Sequence, residues 1–236
     1  MPIDEGISLD ELNLVLLLDN SYSMAKGRIT QLNAAIPVLI SKLSEMADKN
    51  HVDLRLRVIA FSDEAVWKIG SVESGEDIKS VVWHDLDVVG GTSTPKAILE
   101  ANKSLKVKYM AHGGNYALRP VVILVTDGYC NDNEHDDYLA AIEEMKKRLS
   151  GNSGKEKVIR IAIGVEDYNR DQLVEFATVG IMADVKQPFI FEVDKASDLG
   201  KVIQWTAQTS LTASMHNDNS DVIDIGDPDW GDDDTD

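Results

Sequence analysis

Leu12-Asn13-Leu14-Val15-Leu16-Leu17-Leu18-Asp19-Asn20-Ser21-Tyr22-Ser23 is the stretch that decides how this chain folds. Its first seven residues are apolar apart from Asn13. A run that short and that continuous reads as a strand buried on both faces, the mark of a parallel sheet covered by helices. It stops at a carboxylate, Asp19, and two hydroxyls follow at alternate positions, Ser21 and Ser23. In open α/β sheets ligands bind beyond the carboxyl ends of the strands. The change from leucines to oxygens therefore marks the end of a strand and a candidate site together.

The flanking sequence extends this pattern. Residues 29–47 carry Ile29, Leu32, Ile36, Leu39, Ile40 and Leu43 on one helical face. Pro37 within that segment predicts a kink or local break. Residues 54–61 alternate as a second strand, and residues 65–69 are expected as a short antiparallel partner. A short helix is expected over 76–82. A longer one covers 94–107 with Pro95 in its first turn, and 108–119, with Gly113-Gly114, reads as loop. Residues 120–125 form a third buried strand, 134–149 an amphipathic helix and 158–163 a fourth strand. Residues 170–179 are a further long helix, 188–193 a last strand, and 196 to about 210 a closing helix. Strand and helix alternate, which predicts an α/β fold: a Rossmann-like, doubly wound, mostly parallel sheet with helices on both faces and one short antiparallel strand. One domain is expected over 1–214. Residues 215–236 form an acidic tail whose few apolar residues, Val222, Ile223, Ile225 and Trp230, cannot bury enough surface to order it.

Composition narrows the function. Hydrophobic residues make up 43% of the 236 and charged residues 27%, enough for a sizeable core. Acidic residues outnumber basic ones 41 to 23, a net charge of −18. Phosphate neutralisation on nucleic acid and attraction to an anionic membrane are both poor fits. Half of that charge is the nine Asp of residues 216–236, a segment without Lys, Arg or Glu. The segment reads as a solubiliser, or through Trp230 as a docking peptide. Cys130 is the single cysteine, so no intramolecular disulfide can form and a reducing compartment fits. The start, Met1-Pro2-Ile3-Asp4-Glu5-Gly6, lacks the regions of a secretory leader. The apolar runs are strand-length, too short for a membrane span. A cytoplasmic location is expected.

Two further loops belong with the first. Thr126-Asp127-Gly128 follows the third buried strand, and Gly90-Gly91-Thr92-Ser93-Thr94 precedes a helix. Taken singly, Asp19, Ser21 and Ser23 suit loop capping. Taken together, oxygen donors without His or Cys at several strand ends suit a hard cation such as Mg²⁺. Asp19-x-Ser21-x-Ser23, the Gly-Gly-Thr92 loop and Thr126-Asp127-Gly128 together resemble the von Willebrand factor A domain and its metal-ion-dependent adhesion site, MIDAS. The resemblance implies a site for Mg²⁺ or Mn²⁺. Ser21 and Ser23 would bind the metal directly. Thr92 would bind directly or through water, and Asp19 and Asp127 mostly through water or as acceptors for the hydroxyls. It also implies an open position that takes a carboxylate from an acidic protein ligand. Position 20 is Asn where many relatives carry Thr or Ser, and position 22 is Tyr where Gly is common. Residues 16–19, 90–98 and 125–132 resemble the bacterial TerY-type proteins linked to tellurite resistance. That implies a scaffold in a stress-response system with kinase or phosphatase partners.

Enzymatic alternatives fit less well. The cluster could serve a metal-dependent phosphohydrolase, but an aspartyl phosphatase of the dehalogenase type needs a carboxylate where Ser21 stands. A serine-hydrolase elbow and a Walker A loop are both missing. Cys130 has no evident His partner. The acidic stretch 132–137 could hold a second cation, but it suits a helix N-terminus better. A binding module, not an enzyme, is the expectation. The tail carboxylates are themselves candidate ligands for such a metal, in the same or a neighbouring molecule.

Overall fold

The computed structural model describes residues 9–110, 116–127, 130, 134–150, 156–195, 198–216 and 224. Gly113-Gly114, Gly128, Asp132 and the tail residues Val222, Ile223, Ile225 and Trp230 lie outside them.

The leucine run becomes β1 (Asp10–Asp19), with every residue after Asp10 buried. It pairs in parallel with β2 (Val52–Phe61) along its whole length and with β6 (Val121–Thr126) on its other side. The sheet continues outward from β6 to β7 (Ile159–Val165) and β10 (Ile190–Val193), also in parallel. The antiparallel β3 (Ala65–Ile69) closes the opposite edge. The order is thus β10-β7-β6-β1-β2-β3. From β1 the chain first builds toward β2 and β3, then returns to add β6 on the other side. The order therefore reverses between β1 and β6, which opens a crevice beyond their carboxyl ends.

Side-chain alternation in β1 divides the core in two. Leu12, Leu14, Leu16 and Leu18 pack with α1 (Arg28–Asn50) and α6 (Leu199–His216) through Leu32, Ile36, Leu39, Ile203 and Leu211. Val15 and Leu17 face α2 (Thr94–Ser104) and α4 (His135–Lys147) through Ile98, Ala101, Ile142 and Met145. Each fully buried Leu or Ile contributes about 1.5–3 kcal/mol relative to exposure. The one polar residue of the run, Asn13, is buried because it has partners. Its amide oxygen accepts from Arg57 Nη1 at 2.5 Å, and its Nδ2 donates to the Met110 carbonyl at 3.1 Å. Arg57 is itself fully buried, and desolvation lowers its pKa to about 10.

Several local expectations are corrected. The segment 76–82 is not a helix of useful length: Glu76–Asp77 pairs antiparallel with β2 as β4, and a single 3₁₀ turn follows at Ile78–Ser80. The helix from Thr94 ends at Ser104, and a separate turn, α3 (Val107–Met110), follows. The 108–119 loop contains β5 (Tyr116–Ala117), which pairs with the start of β1. The helix from Arg170, α5 (Arg170–Phe176), is short, and the apolar residues after it form β8 (Val179–Met182). With β9 (Val185–Pro188), β8 makes a separate antiparallel hairpin. Val179, the last residue of the expected helix, is instead the first residue of β8. α1 runs unbroken through Pro37, which is exposed, so the carbonyl it leaves unpaired can face water. α6 continues to His216, past the expected helix end near Ser210. Trp67, Trp83 and Trp205 are half-buried against the two cores.

Candidate metal site

Asp19 ends β1 at zero exposure, directly at the reversal between β1 and β6. Its Oδ2 accepts from Thr126 Oγ1 across that crevice at 2.6 Å, and its Oδ1 accepts from the Ser21 backbone N–H at 2.8 Å. Burial raises its pKa to about 6, although the hydrogen bonds from Ser21 and Thr126 favour the ionised form. The chain then turns through a 3₁₀ segment, Tyr22–Met24, anchored by the buried Met24. That turn brings Ser23 Oγ within 2.8 Å of Ser21 Oγ. Ser23 Oγ in turn donates to Asp127 Oδ1 at 2.6 Å. Four of the five expected residues, Asp19, Ser21, Ser23 and Asp127, are thus joined through hydrogen bonds at the ends of β1 and β6.

Thr92 lies on the adjoining loop, buried, outside the hydrogen-bond chain described for the other four. Backbone contacts hold that loop to the first one. The Tyr22 N–H donates to the Gly90 carbonyl at 3.0 Å, and the Val89 N–H to the Asn20 carbonyl at 2.8 Å. The Asn20 side chain adds a bond to the Asp87 carbonyl at 2.8 Å. Behind the loop, Asp63 Oδ1 accepts from the Gly91 N–H at 2.9 Å. A Cβ on Gly90 would lie 2.3 Å from Asp63 Oδ2, and Gly90 has φ +62°. The Gly-Gly pair is required by this close approach and by that backbone angle.

Sequence reasoning missed the rim. Arg28, at the start of α1, pairs through Nη1 with Asp127 Oδ2 and donates through the same nitrogen to the Ser23 carbonyl at 3.1 Å. Its Nε donates to Glu166 Oε2 at 2.6 Å, and its Nη2 lies 3.6 Å from Asp167. Glu166 and Asp167 follow β7, so the strand-end rule that located Asp19 and Asp127 applied to them too. Nothing local marks Arg28, because its partners are distant in sequence. Asn20 and Asp63 are loop splints that only the fold reveals.

Among the described residues no three His, Cys, Asp or Glu side chains converge as a metal cluster. The donors here are instead hydroxyls with two carboxylates. An octahedron of oxygens at about 2.1 Å from a small dication has an edge of about 3.0 Å. The Ser21, Ser23 and Asp127 oxygens, spaced by 2.8 and 2.6 Å, suit that geometry. Ser23 and Tyr22 are exposed, so the cluster is open to solvent on their side. Elsewhere on this face Asp136 and Asp137 lie in the first turn of α4, and His135 pairs with Glu175.

Comparison with known proteins accords with this architecture. The von Willebrand factor type A domain family matches residues 13–205. This chain belongs to that family. Solved structures similar to it include a von Willebrand factor type A protein from Catenulispora acidiphila, 16% identical with a TM-score of 0.60, covering 87% of this chain and 43% of its own. Proximal thread matrix protein 1 from the mussel byssus, solved with a zinc-occupied MIDAS motif, is 15% identical (TM-score 0.53; 86% of this chain, 46% of its own). The ArnB paralog VWA2 from Sulfolobus acidocaldarius is 18% identical (TM-score 0.53; 84% and 45%). This von Willebrand factor A chain spans less than half the length of each of these. No curated protein matches it. Among the described residues no helix is long and apolar enough to cross a membrane.

Proposed function

We propose that this domain is a metal-dependent protein-binding module that captures a partner's carboxylate through a divalent cation, Mg²⁺ or Mn²⁺. Asp19, Ser21, Ser23, Thr92 and Asp127 would hold the ion. The observation that carries this reading is the Ser21 Oγ–Ser23 Oγ–Asp127 Oδ1 chain, open to solvent at the crevice between β1 and β6. A bound dication would supply a Lewis-acidic position for an incoming carboxylate. Hydroxyl donors leave more of its charge unsatisfied than carboxylates would, which favours an anionic partner. The zinc found at the MIDAS motif of the mussel protein supports a dication at this place in the fold.

The setting belongs to the same proposal: a cytoplasmic scaffold in a stress-response system of the tellurite-resistance type, with acidic partners that include a kinase or phosphatase. The domain proper is proposed to end near residue 214, and the polyaspartate tail to compete for the metal face of a neighbouring copy. Asp224 bridges Ile181 in β8, and the residue leading into β8, Thr178, bonds to Arg160 near the start of β7. Asp224 thereby lies toward the end of the sheet opposite the cluster, which favours exchange between copies. The carboxylates of the cluster are occupied, Asp19 by Thr126 and Ser21, and Asp127 by Ser23 and Arg28. That supports binding over phosphoester hydrolysis, which needs a positioned base.

The test is partner capture by the full chain with Mg²⁺, with EDTA, and in the Asp19→Ala variant. Capture should be lost in both treatments while the far-ultraviolet dichroism is kept. Undiminished capture in EDTA sinks the reading, and Asp19-dependent turnover of phosphate esters would replace it with the enzymatic one.

A further inference from the structure

We infer that Arg28 is a resident counter-cation of this site, competing with the metal for Asp127 and so setting the site's metal affinity. The inference rests on the metal reading above. Asp127 is buried to 3% of its surface, and a buried carboxylate without a partner is costly. Arg28 supplies the partner, with its side chain only 12% exposed. The guanidinium occupies Asp127 Oδ2, the oxygen that Ser23 leaves free. Its position is fixed from the other side by Nε to Glu166 Oε2 at 2.6 Å. Asp167 stands at 3.6 Å from Nη2 with a fully solvated side chain.

Glu166 shows how the fold supports this arrangement. It is a non-glycine residue at φ +56°, an uncommon left-handed conformation. Its N–H donates to the Val193 carbonyl at 2.7 Å, and its carbonyl accepts from the Tyr168 N–H at 2.9 Å. This turn places the carboxylate against Arg28 and gives the guanidinium a second anion to remain with. A dication among Ser21, Ser23 and Asp127 sits close to the guanidinium, and like charges at that range repel strongly in a partly buried site. Arg28 therefore gives up Asp127 when the metal is bound and stays with Glu166 and Asp167. A purely structural arginine would behave oppositely, because its loss would loosen Asp127 and weaken metal binding.

The experiment is Mn²⁺ binding, followed by electron paramagnetic resonance, to the full-length wild type and to Arg28→Gln, Arg28→Lys and Asp19→Ala. The expected result is about tenfold tighter Mn²⁺ binding in Arg28→Gln, with Arg28→Lys within about twofold of wild type because it keeps the charge. Unchanged or weaker binding in Arg28→Gln, beside Asp19-dependent binding in wild type, overturns the inference and leaves the metal reading intact. Binding that Asp19→Ala does not reduce, or none in any of the proteins, overturns both. A second measurement needs no variant. In wild type the Arg28 Nη1 proton resonances should carry the shift of an ion-paired hydrogen bond to Asp127 in EDTA and lose it on saturation with Mg²⁺. A shift that persists in Mg²⁺ overturns the inference.

Discussion

Asp19 carries the most physical tension of any residue in the site. It is fully buried, and its pKa is raised to about 6 from an ordinary 3.8, chiefly by desolvation. A carboxylate with a raised folded-state pKa favours the protonated fold, so it subtracts stability as pH rises. In metal-free protein that cost is absent below about pH 4, grows between about 4 and 6, and reaches roughly 3 kcal/mol above pH 6. Asp19→Asn in EDTA should therefore be more stable than wild type by about 1–3 kcal/mol at pH 7.5, and equal to it near pH 4. Urea unfolding across that range measures the difference, and a gap that does not vary with pH contradicts it. Asp19 and Asp127 were legible because they follow strands. Arg28, which pairs with Asp127 across 99 positions, was not.

At the scale of elements, two turns and a helix are informative. The loop 90–92 is shaped by Asp63, whose carboxylate fills the space a side chain at Gly90 or Gly91 would need. Gly90→Ala should cost about 1–3 kcal/mol and weaken Mn²⁺ binding by displacing Thr92. In an Asp63→Ala background the added stability cost should shrink by at least about 0.5 kcal/mol, as it does for residues in contact. A fully additive pair would show that the clash is not the cause. In α1, Pro37 removes one backbone hydrogen bond on an exposed face. Pro37→Ala should stabilise the domain by about 1–2 kcal/mol, once the gain in unfolded-chain entropy is subtracted from the helix gain. A thermal midpoint that is unchanged or lower counts against this. The helix survives its proline because Leu32, Ile36, Leu39 and Leu43 are buried on the other face. Tertiary packing there outweighs local propensity. The same imbalance explains the short α5 and the β8–β9 hairpin, where neighbouring strands and not periodicity decided the outcome.

For the molecule as a whole, charge and topology divide the work. The two cores flank a sheet whose central strand is β1, and among the described residues both are built from positions up to 215. A chain ending at His216 should fold with a thermal midpoint within about 3 °C of full length, since the described core residues all precede that point. Calorimetry of the two lengths decides it, and a drop of 10 °C would make the tail part of the domain. The truncated chain sheds nine negative charges, half of the net −18. It should also bind an acidic partner more tightly at low salt if the tail competes for the metal face.

Residue order alone determined that β1 is buried on both faces, that helices alternate with parallel strands, and that oxygen donors cluster at strand ends. Each of these follows from local pattern: continuous apolar runs, helical spacing, and the abrupt change to Asp and Ser. The tertiary structure alone decided what those donors touch. Whether Ser23 reaches Asp127, whether Asp63 fills the cradle of Gly90, and whether Arg28 spans Asp127 and Glu166 depend on loops from different strands meeting at the crevice between β1 and β6. Those contacts span 27 to 138 positions of sequence, and no local period encodes a partner at that distance.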